Sequence, residues 1–528
     1  MIEDSLYSRL YTTQEVTPRF YGLPKIHKNT TPLRPIVSTI GSVTYELSKF
    51  LTNILSPLVG STSHHIANTV DFVSKIKDLD LSDQEIMVSY DVSALFTSVP
   101  VPKAVEVIKD RLERDDTLKE RSALSPSQIA DLLQFTLDTK YFVYRGEYYQ
   151  QTHGAAMGSP VSPVVANLYM EYFEDIAMTS GSITPRIWYR YVDDTYVVIE
   201  RTQYEEFSRD LNQIDPNIQF TTEVESDGKL PFLDTLVTRQ PGGNVTLTVY
   251  KKPTHTDQYL NFASNHALAT KMGIIRTLNN RAMLVTTEEE DLRKEQDSIT
   301  RALGVCGYPS WATKVAPLPS SRNHDESDSD KLQVTLPYQQ GLSEKLRRIF
   351  GKYNIRTAFR AANTIRSSLV APKDKIDTLA VCGAVYKIPC KDCPASCIGE
   401  SGRLLSTRLK EHKKAVDQLS KHHSAVAEHV CDTGHEIDWD SVSVLGKEPW
   451  QYRRKVLEAI FIKQERPSLN RDQGLDISPI FEPLIPANNT ASDTTRSATR
   501  GDASSSPSGV DTSAPSGGAS GVTAAGGH

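Results

Sequence analysis

Three aspartates occupy positions from which carboxylates can converge. Asp193 and Asp194 lie between two β-favouring runs, which predicts a hairpin from Trp188 to Glu200 with the acidic pair at its tip. Asp91 ends an apolar run that is typical of a strand. Aspartate is also common in turns for local reasons, so the pair alone predicts no site. Carboxylates that converge from separate strands offer the hard oxygen ligands that magnesium prefers.

A predicted helix start lies between Asp91 and the hairpin. The sequence GSP at 158–160 precedes a run whose apolar residues recur at helical spacing. A strand-end aspartate, a GSPVSP helix start and a YVDD hairpin, in this order, resemble the palm of reverse transcriptases. The resemblance implies that Asp91 and Asp193 bind Mg²⁺, with Asp194 beside them.

Five further residues are candidates for substrate contacts. Phe96 stands where reverse transcriptases place an aromatic under the incoming sugar, which favours DNA as product, but an ordinary core aromatic fits equally well. Lys25 and Arg34 flank a predicted hairpin and suit a triphosphate, although solvated surface charges would give the same pattern. Gly158 and Ser159 would either let primer or nucleotide approach the backbone or simply form a turn.

The N-terminal motif narrows the resemblance. The segments PKIHK and LRPIV, together with the palm motifs, are similar to Penelope-like retroelement reverse transcriptases, whose nearest relatives are telomerase catalytic subunits. The similarity extends to about residue 480. Because the first matching motif begins at Arg19, we expect the upstream extension of such chains to be absent.

Length and composition allow several globular domains. The chain has 528 residues, of which 38% are hydrophobic and 23% charged, and its net charge is −6. A nucleic-acid-binding surface would therefore have to be local. Six cysteines do not fit a secreted disulfide framework, and no apolar run has membrane-spanning length. We expect a soluble intracellular protein that acts in the nucleus, although no basic run is long enough to be a localisation signal.

Two basic segments follow the hairpin region. The first is helical in pattern and resembles the thumb or helix-turn-helix-like segment of Penelope-like proteins; its bases are His255, His266, Lys271, Arg276 and Arg281. The second, between residues 341 and 375, has nine Lys or Arg against two acids. Both segments could hold the nucleic-acid backbone. Scattered solvated charges in the first and packing on the palm in the second are the alternatives.

The segments GAVYKIPC and CIGESGRLLSTRLKEH resemble the GIY-YIG nuclease domain fused behind Penelope-like polymerases. The resemblance implies catalytic roles for Tyr386, Arg408, His412, Glu458 and Asn470. Arginine would stabilise phosphate charge, Glu458 would hold one Mg²⁺, and the tyrosine or histidine would deprotonate water. Cys397 replaces the second tyrosine of the pattern, and a thiol is a poor substitute for a phenol in positioning water.

A CxxC motif lies inside the same region. Cys390 and Cys393 could combine with His429 and His435 to satisfy tetrahedral Zn²⁺. Penelope-like nucleases carry a similar CxxC between their paired tyrosines. Alternatively the two histidines serve the nuclease pocket or the surface, and Cys431 is a substitute ligand.

We predict an α+β multidomain fold: a right-hand polymerase with fingers, palm and thumb, plus a small α/β GIY-YIG nuclease domain. The predicted segments are fingers and palm at 1–250, thumb or helix-turn-helix-like at 251–285, linker at 286–340, basic helical segment at 341–376, nuclease with zinc-like insertion at 377–480, and disordered tail at 485–528.

The predicted function is RNA-directed DNA synthesis, with the nuclease nicking a DNA target whose 3′-end primes copying. Its partners would be an RNA template, a DNA primer or target and deoxynucleoside triphosphates, with no membrane. Two Mg²⁺ would serve the polymerase and one the nuclease. The alternative is a truncated nucleic-acid-binding retroelement remnant without either activity.

Overall fold

The computed structural model describes most of the chain. The described residues are 16–26, 30–181, 183–313, 332–361 and 378–485, together with residues 7, 10, 364, 369 and 373. The predicted tail beyond residue 485 and part of the predicted linker lie outside the described residues. Within the described ranges the protein is mixed α+β, as predicted, and has five sheets. None of the helices described there is long and apolar enough to cross a bilayer.

Strands and helices alternate irregularly along the described chain. The strands are β1 Arg19–Pro24, β2 Leu33–Ser38, β3 Glu85–Val92, β4 Tyr141–Tyr144, β5 Glu147–Gln150, β6 Ile187–Tyr191, β7 Asp194–Glu200, β8 Phe220–Val224, β9 Lys229–Phe232, β10 Thr235–Arg239, β11 Val245–Val249, β12 Gln333–Pro337, β13 Arg356–Arg360, β14 Ala384–Pro389, β15 Ser396–Ser401 and β16 Ser443–Lys447. The helices of eight or more residues are α1 Tyr45–Leu55, α2 Thr69–Ile76, α3 Val101–Glu113, α4 Pro126–Asp138, α5 Ser162–Ser180, α6 Tyr204–Ile214, α7 Leu268–Val285, α8 Glu289–Val305, α9 Leu342–Lys352, α10 Leu405–Asp417, α11 Ala425–Thr433 and α12 Gln451–Glu465.

The N-terminal sheet has the strand order β2-β1-β4-β5 and is made of two hairpins. Strands β1 and β2 pair antiparallel, which confirms the hairpin predicted for the start of the chain. Strands β4 and β5 form the second hairpin, which turns at Arg145 and Gly146. Both turn residues have positive φ, the conformation that a two-residue hairpin turn requires.

The central sheet has the order β6-β7-β3-β8, and all its neighbours are antiparallel. The predicted strand ending near Asp91 is β3, and the predicted YVDD hairpin is β6–β7. Both faces of this sheet are buried, because alternate residues of β3 enter different cores. Ile86, Val88 and Tyr90 face the core that includes residues of α3, α4 and α5, whereas Met87 packs with residues of α2 and of the β9–β11 meander.

Helices α7 and α8 pack against each other, and the end of α7 also joins the core of the central sheet through Val285. Met272 and Ile275 of α7 share a buried cluster with Ile299 and Leu303 of α8. Part of the predicted linker at 286–340 is therefore a packed helix of 17 residues, Glu289–Val305. Its sequence is charged over the first turns and apolar only near the end, so the buried face was too short to distinguish it from a connector.

The basic segment, which was predicted to be helical, contains both a helix and a strand. Strands β12 and β13 pair in parallel, and α9 connects them. Residues 356–360 were expected to be helical, but they alternate between the two sides of a strand, with Thr357 and Phe359 on one side and Arg356, Ala358 and Arg360 on the other. We call residues 332–361 the basic unit.

The C-terminal unit, residues 378–485, is a small α/β fold, as predicted. Its sheet has the order β15-β14-β16, with both pairings antiparallel. Helices α10 and α11 contribute to a buried cluster that contains Tyr386 and Cys397. Residues of α12 pack with Val385 and Ile398 in a second cluster, so the sheet is covered by helices from both clusters.

Candidate functional site

The central sheet brings the three predicted aspartates to one end. Asp91 on β3 lies directly opposite Asp194 on β7, so their side chains lie on the same face, with Cβ atoms about 5 Å apart. Asp193 occupies the turn between β6 and β7, and its carbonyl accepts a hydrogen bond from the Val92 N–H at 3.1 Å. The register between β3 and β7 therefore brings Asp91 next to Asp193 and Asp194, which are distant from it in the sequence.

Burial and mutual repulsion alter the chemistry of the aspartates. The pKa of Asp194 is raised to about 6, first by burial and then by the charges of Asp193 and Asp91; Lys252 opposes the rise. Hard carboxylate oxygens are the ligands that Mg²⁺ prefers, so the donor set fits this ion. Among the described residues, only a Cys/His group has its ligating atoms all within 4.8 Å. The aspartates stand further apart, as like charges do.

The structure places the predicted substrate residues on separate elements. Arg34 is exposed on β2, and Lys25 follows β1 with its N–H donating to the Pro32 carbonyl at 2.9 Å. Phe96 is half-buried against the core and accepts a backbone hydrogen bond from Ala155. This packing supports the core interpretation of Phe96 without excluding a contact with a sugar, so all three substrate roles stay predictions.

Gly158 has a role inside the chain. Its φ is +129°, and a Cβ atom there would lie 2.3 Å from the carbonyl oxygen of Val37 on β2. Thr39 donates to the Gly158 carbonyl at 3.0 Å, and the hydroxyl of Ser159 reaches that of Ser48 at 3.3 Å. Contact between the N-terminal sheet and the start of α5 is therefore sufficient to require glycine. Primer or nucleotide contact by Gly158 and Ser159 remains a prediction.

In the C-terminal unit, Tyr386, His412 and Arg408 form one hydrogen-bonded group. The Tyr386 hydroxyl lies 3.0 Å from His412 Nε2 and accepts from Arg408 Nε at 3.3 Å. Because arginine can only donate, the tyrosine O–H is left to donate to the imidazole. Burial, followed by the charge of Arg408, lowers the pKa of His412 to about 4. Burial raises the pKa of Tyr386 to about 12. A neutral imidazole is thus placed to accept a hydrogen bond from the phenol.

Glu458 and Asn470, the other residues predicted for this site, have different surroundings. Burial, then the charges of Glu400 and Asp472, raise the pKa of Glu458 to about 7, so a cation beside it would restore its charge. Asn470 instead makes two hydrogen bonds of 2.8 Å with the backbone of Ile398, which ties it to β15. Cys397 is buried, and burial raises the pKa of its thiol to about 11. It is therefore a neutral thiol at neutral pH.

The four predicted zinc ligands lie together. The sulfur of Cys390 is 3.4 Å from His429 Nε2 and 3.8 Å from His435 Nδ1, and the sulfur of Cys393 is 3.6 Å from His429 Nε2. Sulfur and nitrogen ligands of a tetrahedral zinc ion, bound at about 2.3 and 2.0 Å, are about 3.5 Å apart. The spacing therefore fits Zn²⁺, and His435, not Cys431, completes the group.

Two protein families match parts of the chain. The family described as "Reverse transcriptase (RNA-dependent DNA polymerase)" matches residues 26–219, which include all three aspartates and the GSP motif. Residues 26–219 are a reverse transcriptase domain. The family described as "Animal helix-turn-helix domain" matches residues 258–314 and so includes both α7 and α8. The boundary predicted at residue 285 falls inside this match. No curated protein sequence matches the chain.

Solved polymerase structures resemble parts of the chain at low identity. A telomerase from Candida albicans, in complex with a TWJ fragment of telomeric RNA, is 11% identical, with a TM-score of 0.38, over 58% of this chain and 57% of its own. The RNA-dependent RNA polymerase of a human picobirnavirus is 15% identical, with a TM-score of 0.37, over 56% of this chain and 59% of its own. The chain spans less than two thirds of each structure.

Sequence reasoning missed three charged residues near the aspartates. Lys252, which lies outside the matched range 26–219, is the cation whose charge reaches Asp194. Arg190 and Glu174 form a fully buried ion pair behind the YVDD turn. A charged residue among the β-favouring residues of the hairpin was the only signal for Arg190, and the helical sequence around Glu174 gave none.

Proposed function

We propose that this chain is an RNA-directed DNA polymerase of the Penelope-like retroelement type. The observation that carries the proposal is the pairing of Asp91 with Asp194 across β3 and β7, with Asp193 in the adjoining turn, inside a reverse transcriptase domain. Three carboxylates held by two neighbouring strands meet the need of two-metal nucleotidyl transfer.

Each residue of the site has a stated task in this proposal. Asp91, Asp193 and Asp194 would hold two Mg²⁺ ions, whose chemistry would be to activate the 3′-oxygen and to bind the leaving phosphates. Lys25 and Arg34 bind the triphosphate from the hairpin of β1 and β2. Phe96 excludes a 2′-hydroxyl, and therefore selects deoxynucleotides.

Primer extension on an RNA template tests the polymerase. The wild-type chain should extend a DNA primer with Mg²⁺ and deoxynucleoside triphosphates. Asp193→Asn should reduce the rate at least about a hundredfold, because it removes a metal ligand. Asp131→Asn, which changes an exposed aspartate on α4, is the matched control and should extend normally. A folded wild type that does not extend would favour the inactive remnant.

We further propose that the C-terminal unit is a GIY-YIG nuclease that nicks a DNA target, in the nucleus, so that the new 3′-end primes copying. The hydrogen-bonded group of Tyr386, His412 and Arg408 supports this, since it offers a base and a phosphate-binding cation. Glu458 would hold one Mg²⁺. The departure at Cys397 leaves one water-positioning phenol instead of two.

Plasmid nicking separates this second activity from the first. Supercoiled DNA should be relaxed by the wild type, and Arg408→Ala should slow nicking by about a hundredfold or more. Asp193→Asn should nick at the wild-type rate, because its carboxylate belongs to the other site. Nicking that persists undiminished in Arg408→Ala would refute the assignment of the C-terminal site while leaving the polymerase proposal intact.

A further inference from the structure

The YVDD turn contains an unusual backbone conformation. Val192, between β6 and Asp193, has a φ of +58°. The left-handed region is disfavoured for β-branched residues, and glycine is the usual choice at such a turn position. Conformations of this kind persist only where surrounding contacts over-determine them. The contacts that hold Val192 therefore also decide where the carboxylate of Asp193 stands.

Arg190 supplies the contact that reaches the turn. Its side chain is fully buried, and its Nη1 donates to the Val192 carbonyl at 3.2 Å. The same nitrogen donates to the Asn167 side-chain oxygen at 2.9 Å. The remaining nitrogens face Glu174: Nε donates to Oε1 at 2.7 Å and Nη2 to Oε2 at 3.1 Å. The planar guanidinium is thus fixed by α5 while it holds the turn.

Glu174 is also held in place by its surroundings. It is fully buried on α5, and its Oε1 also accepts from the indole N–H of Trp188 at 2.9 Å. A buried ion pair is costly to desolvate, and an apolar pair of similar volume is often as stable. Stability alone therefore does not explain why a charged pair occupies this position. The hydrogen bonds of the pair do explain it, because they extend to Val192, the strained residue of the turn.

We propose that Glu174 and Asn167 act through Arg190 as positioning residues that hold Val192 in the left-handed conformation, and thereby place Asp193 for metal binding. This inference rests on the proposed polymerase site. Glycine at position 192 adopts the same conformation without strain, so it should make the buried pair dispensable for positioning.

A double-mutant cycle with Arg190→Lys and Val192→Gly tests this. Lysine keeps the charge but cannot contact Glu174, Asn167 and the turn together. We expect Arg190→Lys to lower kcat by about ten- to a hundredfold and to raise the Mg²⁺ concentration needed for half-maximal extension. The double variant should recover most of both effects. If Arg190→Lys causes the same loss of activity whether residue 192 is valine or glycine, the proposal is overturned.

A second measurement keeps the inference separate from the proposed function. Mn²⁺ affinity, measured by electron paramagnetic resonance with Asp193→Asn as the blank, requires no turnover. The Mn²⁺ affinity should follow the same double-mutant cycle, with weaker binding in Arg190→Lys and restored binding in the double variant. A wild type that binds Mn²⁺ but does not extend counts against the polymerase and not against the positioning network. Unchanged Mn²⁺ affinity in Arg190→Lys overturns the network.

Asn167→Ala provides a variant for the case in which Arg190→Lys does not fold. It removes one acceptor from the guanidinium and leaves the ion pair with Glu174 in place. The expected defect is smaller but of the same kind, and Val192→Gly should rescue it. A normal Asn167→Ala in both measurements would show that the turn does not depend on this network.

Discussion

Three side chains, the half-buried Asp194 and Glu458 and the buried His412, have protonation equilibria set mainly by loss of solvent. The pKa of Asp194 is raised to about 6 and that of Glu458 to about 7, while that of His412 is lowered to about 4. Burial is the largest cause in each case, and it disfavours the charged form. The two carboxyls lie in the two candidate catalytic sites, where a bound cation would compensate the charge. Beside His412 the charge of Arg408 adds to the effect of burial, so the imidazole remains neutral.

The stability of the C-terminal unit should therefore depend on pH through His412. Its pKa is about 4 in the folded chain and 6.5 ordinarily, so the unfolded chain binds more protons between these values. Stability should fall as the pH falls from 6.5 to 4, by up to about 3 kcal/mol. His412→Asn should remove this part of the slope in urea unfolding at a series of pH values. Parallel curves for the two proteins would contradict the prediction.

Sequence predicted the residues whose signal is local and missed those whose signal is tertiary. Asp91, Asp193 and Asp194 stand at the ends of recognisable runs, so alternation and turn chemistry placed them. Arg190 and Glu174 are far apart along the chain, and they become a buried pair only when β6 packs on α5. Nothing in a single sequence shows which charged residues will be desolvated together.

Among the structural elements, the loop between β14 and β15 depends on a distant helix. Cys390 and Cys393 begin this loop, whereas His429 and His435 come from α11 and the residues after it. A backbone hydrogen bond from Lys391 to the Glu436 carbonyl adds to the connection. A metal ion bound by the four side chains would join the sheet to α11, and we propose that this ion is Zn²⁺.

Metal replacement tests the zinc proposal. The chain should bind one Co²⁺ with the visible absorption of a tetrahedral thiolate site, and Zn²⁺ should displace it. Cys393→Ser should abolish this absorption and lower the melting temperature by more than about 5 °C. Cys431→Ser is the matched control and should bind Co²⁺ normally. Loss of binding in Cys431→Ser would make Cys431 a ligand in place of His435.

The basic unit is the other element with a testable surface. Residues 332–361 contain six Lys or Arg and one acid, Glu344, a net charge of +5 in a chain of net charge −6. Lys345, Arg348 and Lys352 are exposed along one side of α9, and none forms an ion pair among the described residues. Glu344 is engaged by Tyr338 and the Gly341 N–H. We propose that this side of α9 contacts the phosphate backbone.

Changing Lys345, Arg348 and Lys352 to glutamine should weaken binding to duplex DNA. The salt dependence of the affinity should become shallower by about three units, one for each lost phosphate contact. Fluorescence anisotropy over a range of salt concentrations measures both effects. Glutamine at Lys103, Lys109 and Lys119 removes the same charge from another surface and is the matched control. Equal effects of the two triple variants would show that net charge alone is responsible.

The elements that sequence misassigned are those with long-range partners. The hairpin of β1 and β2 was predicted because its two strands are adjacent in the chain. Strand β13 pairs in parallel with β12 across an intervening helix, and its Arg356 and Arg360 resemble the exposed bases of α9. Helix α8 is buried only through a few residues that contact α7. Strand pairing and helix packing between residues far apart in the chain produce no local hydrophobic periodicity in the sequence.

Across the whole molecule, the hydrophobic cores are separate. The clusters around Tyr386 and Val385 contain only residues of the C-terminal unit, whereas those of the central sheet contain only residues before position 286. Residues 361–377 connect the basic unit to the C-terminal unit and are largely outside the described residues. Cores that share no residues are expected to unfold separately.

Calorimetry should therefore resolve more than one unfolding transition. Cys393→Ser should lower the temperature of one transition and leave the others within about 1 °C, because the substitution touches only the C-terminal unit. Arg190→Lys should shift a different transition. A single transition that moves with both variants would mean that the cores unfold as one cooperative unit.

The contact at Gly158 limits how the N-terminal sheet can close over a substrate. Val37 of β2 donates from its N–H to the Met157 carbonyl, and its own carbonyl lies against the Cα of Gly158. These contacts fix the base of β2 to the start of α5, which is itself packed under the YVDD hairpin. A closing motion cannot pivot there without breaking them. If Lys25 and Arg34 bind a triphosphate as proposed, we expect any movement towards it to come from the outer part of the β1–β2 hairpin, while its base stays attached to α5.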